Sequence, residues 1–317
     1  MTRDSVTDDK PTDPSRRQAL RCLAYGGGGT LFMLAGGVVS PASLASTSLT
    51  ASAARPLFVQ LSDTHIGFHK DANPDVARTL TRAIDQINAL PAIPSLTVHT
   101  GDITHLSKPE EFDLAAQLLG SLKTTELHTV PGEHDVADAD VSNYFARYGA
   151  ASDGRGYYSF DHSGVHFLAL NNVMHAADGG LGALGEEQVS WALADLKART
   201  SSTPVVVLAH MPLWNIYLPW GWGTADAAPV IDALRRFGSA TVLNGHIHQV
   251  VQKVEGHVTF HTARSTAFPQ PAPGAASGPG PLTVPGDELA ARLGVTSVSF
   301  RRHPVMAAVA DTTLAAS

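Results

Sequence analysis

Five apolar runs in this chain stop on side chains that bind metal ions, and that repeated arrangement constrains the fold more than any other feature. The sharpest is Val242-Leu243-Asn244-Gly245-His246-Ile247-His248. Its β-branched, apolar approach reads as a buried strand, and the glycine as the turn at the carboxyl end. Histidines two positions apart in a straight strand share a face about 7 Å apart. Both reach one site only if the backbone bends between them. Three earlier runs end in the same way, on Asp63-Thr64-His65, on Gly101-Asp102 and on His210. A fifth ends Val130-Pro131-Gly132-Glu133-His134-Asp135. Such a chain is built to hold metal.

The single cysteine, Cys22, lies near the start, and all 15 histidines lie beyond position 60. Thiolate-bound structural zinc is thereby excluded from the folded part. Imidazole and oxygen donors suit Fe, Mn, Zn or similar ions. A formal net charge of -7 argues against nucleic acid or an anionic membrane as a partner. With 317 residues and 44% apolar content, the chain can bury a core as one domain, expected over 55–310.

Residues 1–54 are set aside as an export leader and linker. Ser15-Arg16-Arg17 precedes a run rich in Gly, Ala, Leu and Val, then small residues around Ala45 and Ala54. Paired arginines before such a run resemble a twin-arginine signal, although Ala19 stands where an aromatic or leucine is usual. The expectation is transient contact with export machinery, no stable membrane span after processing, and a periplasmic or secreted product. The oligomeric state is left open.

Beyond the leader the order is strand, helix, strand, helix, strand. Val76, Leu80, Ile84, Ile87 and Leu90 give a helical stripe over 75–90, which Pro91 and Pro94 stop. A second helix is expected over 109–122, with 138–156 a loop or short helix. Residues 157–170 read as a hairpin, in which His162 and His166 are core or surface positions. Asn171, Asn172 and His175 follow it as candidate cleft residues. Helices are expected over 185–198 and 226–237, and a hairpin over 250–261. A Pro- and Gly-rich stretch over 267–286 reads as an ordered surface loop or a lid, and strands near 295–300 and 305–309 close the second sheet or pack on its edge. Three of the four tryptophans fall in 214–222, directly after His210, so Trp214 is a candidate pocket wall, with an interface or packing role as the alternative.

The strand-end donors Asp63, His65, Asp102, Glu133, His134, His210, His246 and His248 are too many for one ion and suit two, with Asp102 the natural bridge. Two ions hold a hydroxide between them and clamp a tetrahedral group under in-line attack, the chemistry of phosphoester hydrolysis. A departing alkoxide needs a proton. His134, with Asp135 behind it, is the candidate donor.

The set Asp63-x-His65, Gly101-Asp102, Gly132-Glu133-His134-Asp135, His210 and Gly245-His246-x-His248 resembles the calcineurin-like metallophosphoesterase superfamily over about residues 56–265. The resemblance implies an α/β fold, a four-layer αββα sandwich with two mixed β-sheets, around two divalent or mixed-valence ions (Fe, Mn or Zn). It implies Asp63, His65 and His248 on one ion, His210 and His246 on the other, Asp102 between them, and His134 opposite the leaving group. The hairpin beginning Tyr158-Ser159-Phe160 resembles the branch that contains cyclic-nucleotide phosphodiesterases. Glu133 departs from the pattern, since the family has asparagine there; it either binds directly or swings away and weakens the second site. Asp102-Ile103-Thr104-His105 resembles the Asp-x-x-Tyr of purple acid phosphatases with histidine for tyrosine. His105 is therefore a candidate ligand, substrate contact or supporting donor. A small phosphodiester or phosphomonoester is the expected substrate. The alternative is a metal-binding protein of the same fold with little or no turnover.

Overall fold

The computed structural model describes residues 31–35, 38–42, 56–136, 141–302 and 305–315. The expected leader lies outside these, apart from an antiparallel pair of strands, β1 (Leu31–Ala35) and β2 (Val38–Ala42). Among the described residues, no helix is long and apolar enough to cross a membrane.

Two mixed sheets carry the fold. In the first, β3 (Phe58–Leu61), β4 (Leu96–His99) and β5 (Glu126–Thr129) are parallel. The long strands β14 (Gly294–Arg302) and β15 (Val305–Thr313) complete it in the order β15-β14-β3-β4-β5. The second sheet runs β12-β13-β11-β10-β7-β6. Its strands are β6 (Tyr158–His162), β7 (Val165–Ala169), β10 (Val205–Leu208), β11 (Ala240–Asn244), β12 (Gln252–Glu255) and β13 (Val258–Thr262). The four central ones, β7, β10, β11 and β13, are parallel. A small ladder of β8 (His175–Ala176) and β9 (Gly182–Ala183) stands apart.

Strands covered on both faces need apolar side chains at every position, and these have them. Val205 and Val207 face an outer core with α4 (Glu186–Lys197) and α5 (Ala228–Leu234), while Val206 and Leu208 face the layer between the sheets with Phe58, Val98 and Phe167. Val59 and Leu61 turn the other way, onto α1 (Val76–Asn88) and α2 (Pro109–Leu119). The result is the expected four-layer α/β sandwich. In α1 the residues Val76, Leu80, Ala83, Ile84 and Ile87 are buried, and the Asp75 carboxylate accepts the Arg78 N–H at 3.0 Å to cap it. Among the described residues of segment 138–156 lie a short α-helix, α3 (Ser142–Tyr148), and a 3₁₀ turn, Ala150–Ser152.

Two expectations change. The last two strands join the first sheet, not the second, because β14 pairs antiparallel with β3 and Val298 enters the layer between the sheets. The folded unit also runs past 310: Leu314 is buried against the core under α1. Residues 267–285 form no regular element before α6 (Gly286–Arg292).

Candidate metal centre

The parallel pairing of β3 with β4 does not stop where the strands do. Asp63 N–H donates to Gly101 O (3.0 Å), His65 N–H to Asp102 O (2.9 Å), Ile66 N–H to Ile103 O (3.0 Å), and His105 N–H to Ile66 O (2.9 Å). Two loops are thus zipped together over the carboxyl edge of the sheet, the usual place for sites in open α/β sheets. Asp63, His65, Asp102, His246 and His248 all have positive φ, between 41° and 68°. Non-glycine residues pay for that conformation, and several together mark a functional site held by its surroundings. The left-handed turns re-aim side chains that a straight strand would separate. Close approach depends on glycine: a Cβ on Gly132 would overlap the Asp102 carboxylate, and one on Gly245 would meet Ser62 and Asp63.

Two groups of donors result. Asp63, His65, Asp102 and His248 each bring a ligand atom within 4.8 Å of the others, and so do Glu133, His210 and His246. Asp102 lies between them, with Oδ2 3.5 Å from His65 Nε2 and 3.4 Å from His210 Nε2. Glu133 does not swing away. Its Oε2 is 2.7 Å from His210 Nε2 and its Oε1 2.8 Å from His246 Nδ1. Main-chain carbonyls fix two imidazoles from behind: Nδ1 of His210 donates to Thr100 O (2.7 Å) and Nδ1 of His248 to Phe268 O (2.6 Å). A carbonyl only accepts, so both rings present an unprotonated Nε2 when neutral.

The donor set fits metal ions by its own electrostatics. Asp63 Oδ2, Glu133 Oε2, His210 Nε2 and His246 Nδ1 are buried atoms without a well-formed hydrogen bond. Burial raises the Glu133 carboxyl, but the charges of His246 and His210 outweigh it and hold the group well below the usual range. Asp63 is likewise lowered, burial being overcome by His248 and His210. His210 goes the other way: burial opposes its charge, yet Asp102 and Glu133 lift it well above the ordinary value. The fully buried Asp63 and Asp102 carboxylates want a cation among them.

His134 sits at the rim. Its N–H donates to Asp102 Oδ1 (2.9 Å), and its ring Nδ1 donates to His105 O (2.7 Å), so Nε2 is the free nitrogen. Burial lowers its proton affinity, but Asp102 and Glu133 raise it beyond that loss.

Asp135 does not stand behind this ring as the sequence suggested. Its carboxylate accepts the N–H groups of Gly132 (2.9 Å), Ile103 (3.1 Å) and Thr104 (2.8 Å), tying the two loops together. Burial and the Asp102 charge push its pKa up to about 6.

Three other candidates also fall outside the cluster. Asn172 is buried, donates to Met211 O and Thr224 Oγ1 (2.8 Å each), and supports the turn after His210 from behind. His175 is exposed on β8. Trp214 packs on the outer face of the second sheet, with Phe260 6.5 Å and Lys253 Nζ 4.9 Å from its ring.

Ser265, Phe268 and Gln270 carry no signature that marks them as site residues. Ser265 Oγ donates to Asp63 O (2.7 Å), and Gln270 Nε2 to His246 O (2.9 Å). His99 was also missed: its Nδ1 accepts the Gly101 N–H at 3.2 Å, and burial pushes its pKa down to about 3. A histidine ending a buried strand just before Gly-Asp is the signal that could have found it.

A family model for calcineurin-like phosphoesterases matches residues 56–250, from the start of β3 to just beyond His248. The chain belongs to the calcineurin-like phosphoesterase family. A glycerophosphodiester phosphodiesterase (GpdQ) from Enterobacter lignolyticus is 26% identical over 232 residues, covering 68% of this chain and 79% of the relative. A probable cyclic nucleotide phosphodiesterase from Rhodopseudomonas palustris is 24% identical over 222 residues, covering 66% and 78%. A dimetal phosphatase from Danio rerio superposes with a TM-score of 0.54 at 15% identity, over 83% of this chain and all 100% of that one. The purple acid phosphatase PPD1 of yellow lupin superposes with a TM-score of 0.55 at 12% identity, over 76% of this chain and 48% of that one. At such identities the structural likeness shows the fold. Family and donor clusters together make this protein a metallophosphoesterase that works with divalent metal ions.

Proposed function

We propose that this calcineurin-like phosphoesterase hydrolyses small phosphodiesters. Asp63, His65, Asp102 and His248 would hold one ion, and Glu133, His210 and His246 a second, with Asp102 shared. The single observation that carries this reading is the pair of adjacent donor clusters joined through Asp102 Oδ2. Bound there, the ions would supply Lewis acidity and a clamp on phosphoryl oxygens. The chain's own residues do the rest. His134, locked by the His105 carbonyl into the tautomer with Nε2 free, holds a proton for the leaving-group oxygen when charged. Asp102 both faces the clusters and orients His134 through its backbone N–H.

The preference for diesters rests on charge. The five strand-end segments contain no arginine or lysine, whereas a monoester dianion calls for extra cationic contacts. The relatives' names, a glycerophosphodiester and a cyclic nucleotide phosphodiesterase, support the same class. The paired arginines Arg16-Arg17 before an apolar run support a periplasmic or secreted location.

The test is metal content by elemental analysis, alongside hydrolysis of bis-p-nitrophenyl phosphate and p-nitrophenyl phosphate, before and after chelation. Two ions per chain and a chelator-sensitive preference for the diester are expected. A chain that binds two ions yet turns over neither ester would favour a binding role. Glu133 would then be suspect, since its carboxylate already contacts both His210 and His246, and Glu133→Asn should restore turnover.

A further inference from the structure

The imidazoles that turn Nε2 toward the clusters differ in what holds them from behind. Thr100 O and Phe268 O serve His210 and His248. His65 meets a ring instead. Its Nε2 lies 3.5 Å from Asp102 Oδ2 and 3.2 Å from His248 Nε2, while its Nδ1 lies 3.4 Å from Nδ1 of His105. We propose that His105 is a positioning residue whose ring accepts the Nδ1–H of His65 and so fixes the tautomer that presents Nε2 to the first ion. The proposal rests on the metal-centre reading above.

His105 is well placed for that task. Its N–H is tied to Ile66 O at 2.9 Å, one residue beyond His65. Its ring is set edge-on to Phe68 at 5.2 Å and stacked on His134 at 4.9 Å, with 16° between the planes. Its main-chain carbonyl accepts Nδ1–H of His134 at 2.7 Å. One residue therefore orients two imidazoles, by its ring on the metal side and by its carbonyl on the leaving-group side. Accepting at Nδ1 places the proton of a neutral His105 on Nε2.

The competing reading is a third ion held by His65, His105 and His134, whose ligand atoms lie within 4.8 Å of one another. Ring geometry opposes it. Imidazole lone pairs lie in the ring plane and must converge to share an ion, whereas the His105 and His134 rings are stacked with 16° between their planes. A partner behind a ligating histidine is typically worth about 10- to 100-fold in metal affinity.

The experiment compares the full chain with His105→Phe and His105→Gln. Phenylalanine keeps a ring between Phe68 and His134 but removes the acceptor; glutamine supplies an amide oxygen. Both keep the main-chain carbonyl that holds His134. Zn2+ binding is followed by competition with a chromophoric chelator, total ions by elemental analysis, and folding by thermal melts of metal-stripped protein. Expected for His105→Phe is a first binding step weakened by about 10- to 100-fold, with two ions still bound at saturation and the melt unchanged. His105→Gln should recover most of that affinity. Affinity unchanged in His105→Phe would overturn the proposal, as would a glutamine variant no better than phenylalanine. Loss of one whole ion from His105→Phe would make His105 a ligand and overturn it too. Wild-type protein that binds no ion would overturn the metal-centre reading, and this proposal with it.

Discussion

Gly245 offers a direct test of whether backbone approach builds the first donor cluster. A Cβ there would overlap the Ser62 hydroxyl and lie 2.6 Å from Asp63 Oδ2 and 3.2 Å from Asp63 Cγ. Ordinary contact begins at 3.4 Å, so the carboxylate oxygen must retreat by about 0.8 Å, the difference between 3.4 and 2.6. Asp63 has little room to do so. It is fully buried, its N–H is bonded to Gly101 O at 3.0 Å, and its Oδ1 accepts the His246 N–H at 2.9 Å. Overpacking of this kind costs about 1–3 kcal/mol. Misplacing a catalytic group by about 1 Å costs on the order of 100-fold in rate. Gly245→Ala should therefore fold, lose about 1–3 kcal/mol in denaturant unfolding, bind its first ion more weakly, and lose about 100-fold in diester hydrolysis. Gly278→Ala is the control, since a Cβ there meets nothing within 4 Å. If Gly245→Ala bound two ions as tightly as wild type and turned over unchanged, the assignment of Asp63 to the first ion would be refuted.

Trp214→Ala should destabilise by about 3–5 kcal/mol as a partly buried aromatic is lost, with kcat/KM per folded molecule unchanged; a selective loss of kcat/KM would return Trp214 to the pocket wall. Asn172→Ala should cost about 1–3 kcal/mol by leaving the buried Met211 N–H, which donates to Asn172 Oδ1, without its partner, and should weaken only the ion that His210 holds; Zn2+ titration reads both steps. Asp311 supplies a pH test. Its carboxylate takes hydrogen bonds from His261 Nε2 (3.0 Å) and Thr296 Oγ1 (2.7 Å), and although burial raises it, His261 and these bonds hold it below the ordinary 3.8. A depressed folded-state pKa gives stability that is present above pH 3.8 and lost as pH falls through the lower folded value. Asp311→Asn should remove that acid-side slope and lower stability at neutral pH, as read by unfolding between pH 2.5 and 7, a range of about 4.5 units; an unchanged slope would show that the pair contributes nothing.

The sequence by itself determined the buried faces of the elements and the identity of the donors. Alternation in Val205-Val206-Val207-Leu208 covers both faces of a strand, and the stripe from Val76 to Ile87 covers one face of a helix. Those patterns are local, so they are legible without tertiary contacts. Donor identity is equally local: Asp63, His65, Asp102, Glu133, His210, His246 and His248 are metal-ligand types wherever the chain goes, and the structure gathers all seven.

What only the tertiary structure decided is what stands behind those donors. Thr100 O, His105 O and Phe268 O orient His210, His134 and His248, yet every residue carries a carbonyl, and no sequence signature marks the one that will be aimed. Asp135 looked like a partner for His134 because it is next in the chain. The short 3₁₀ turn Glu133–Asp135 instead points it back onto the N–H groups of Gly132, Ile103 and Thr104. Trp214 follows His210 closely, but the chain turns and places it across the sheet. Proximity in sequence fixes which residues are near one another. It does not fix which way they face, because direction is set by left-handed turns and by hydrogen bonds between distant segments, such as that from Ser265 to Asp63, 202 positions apart.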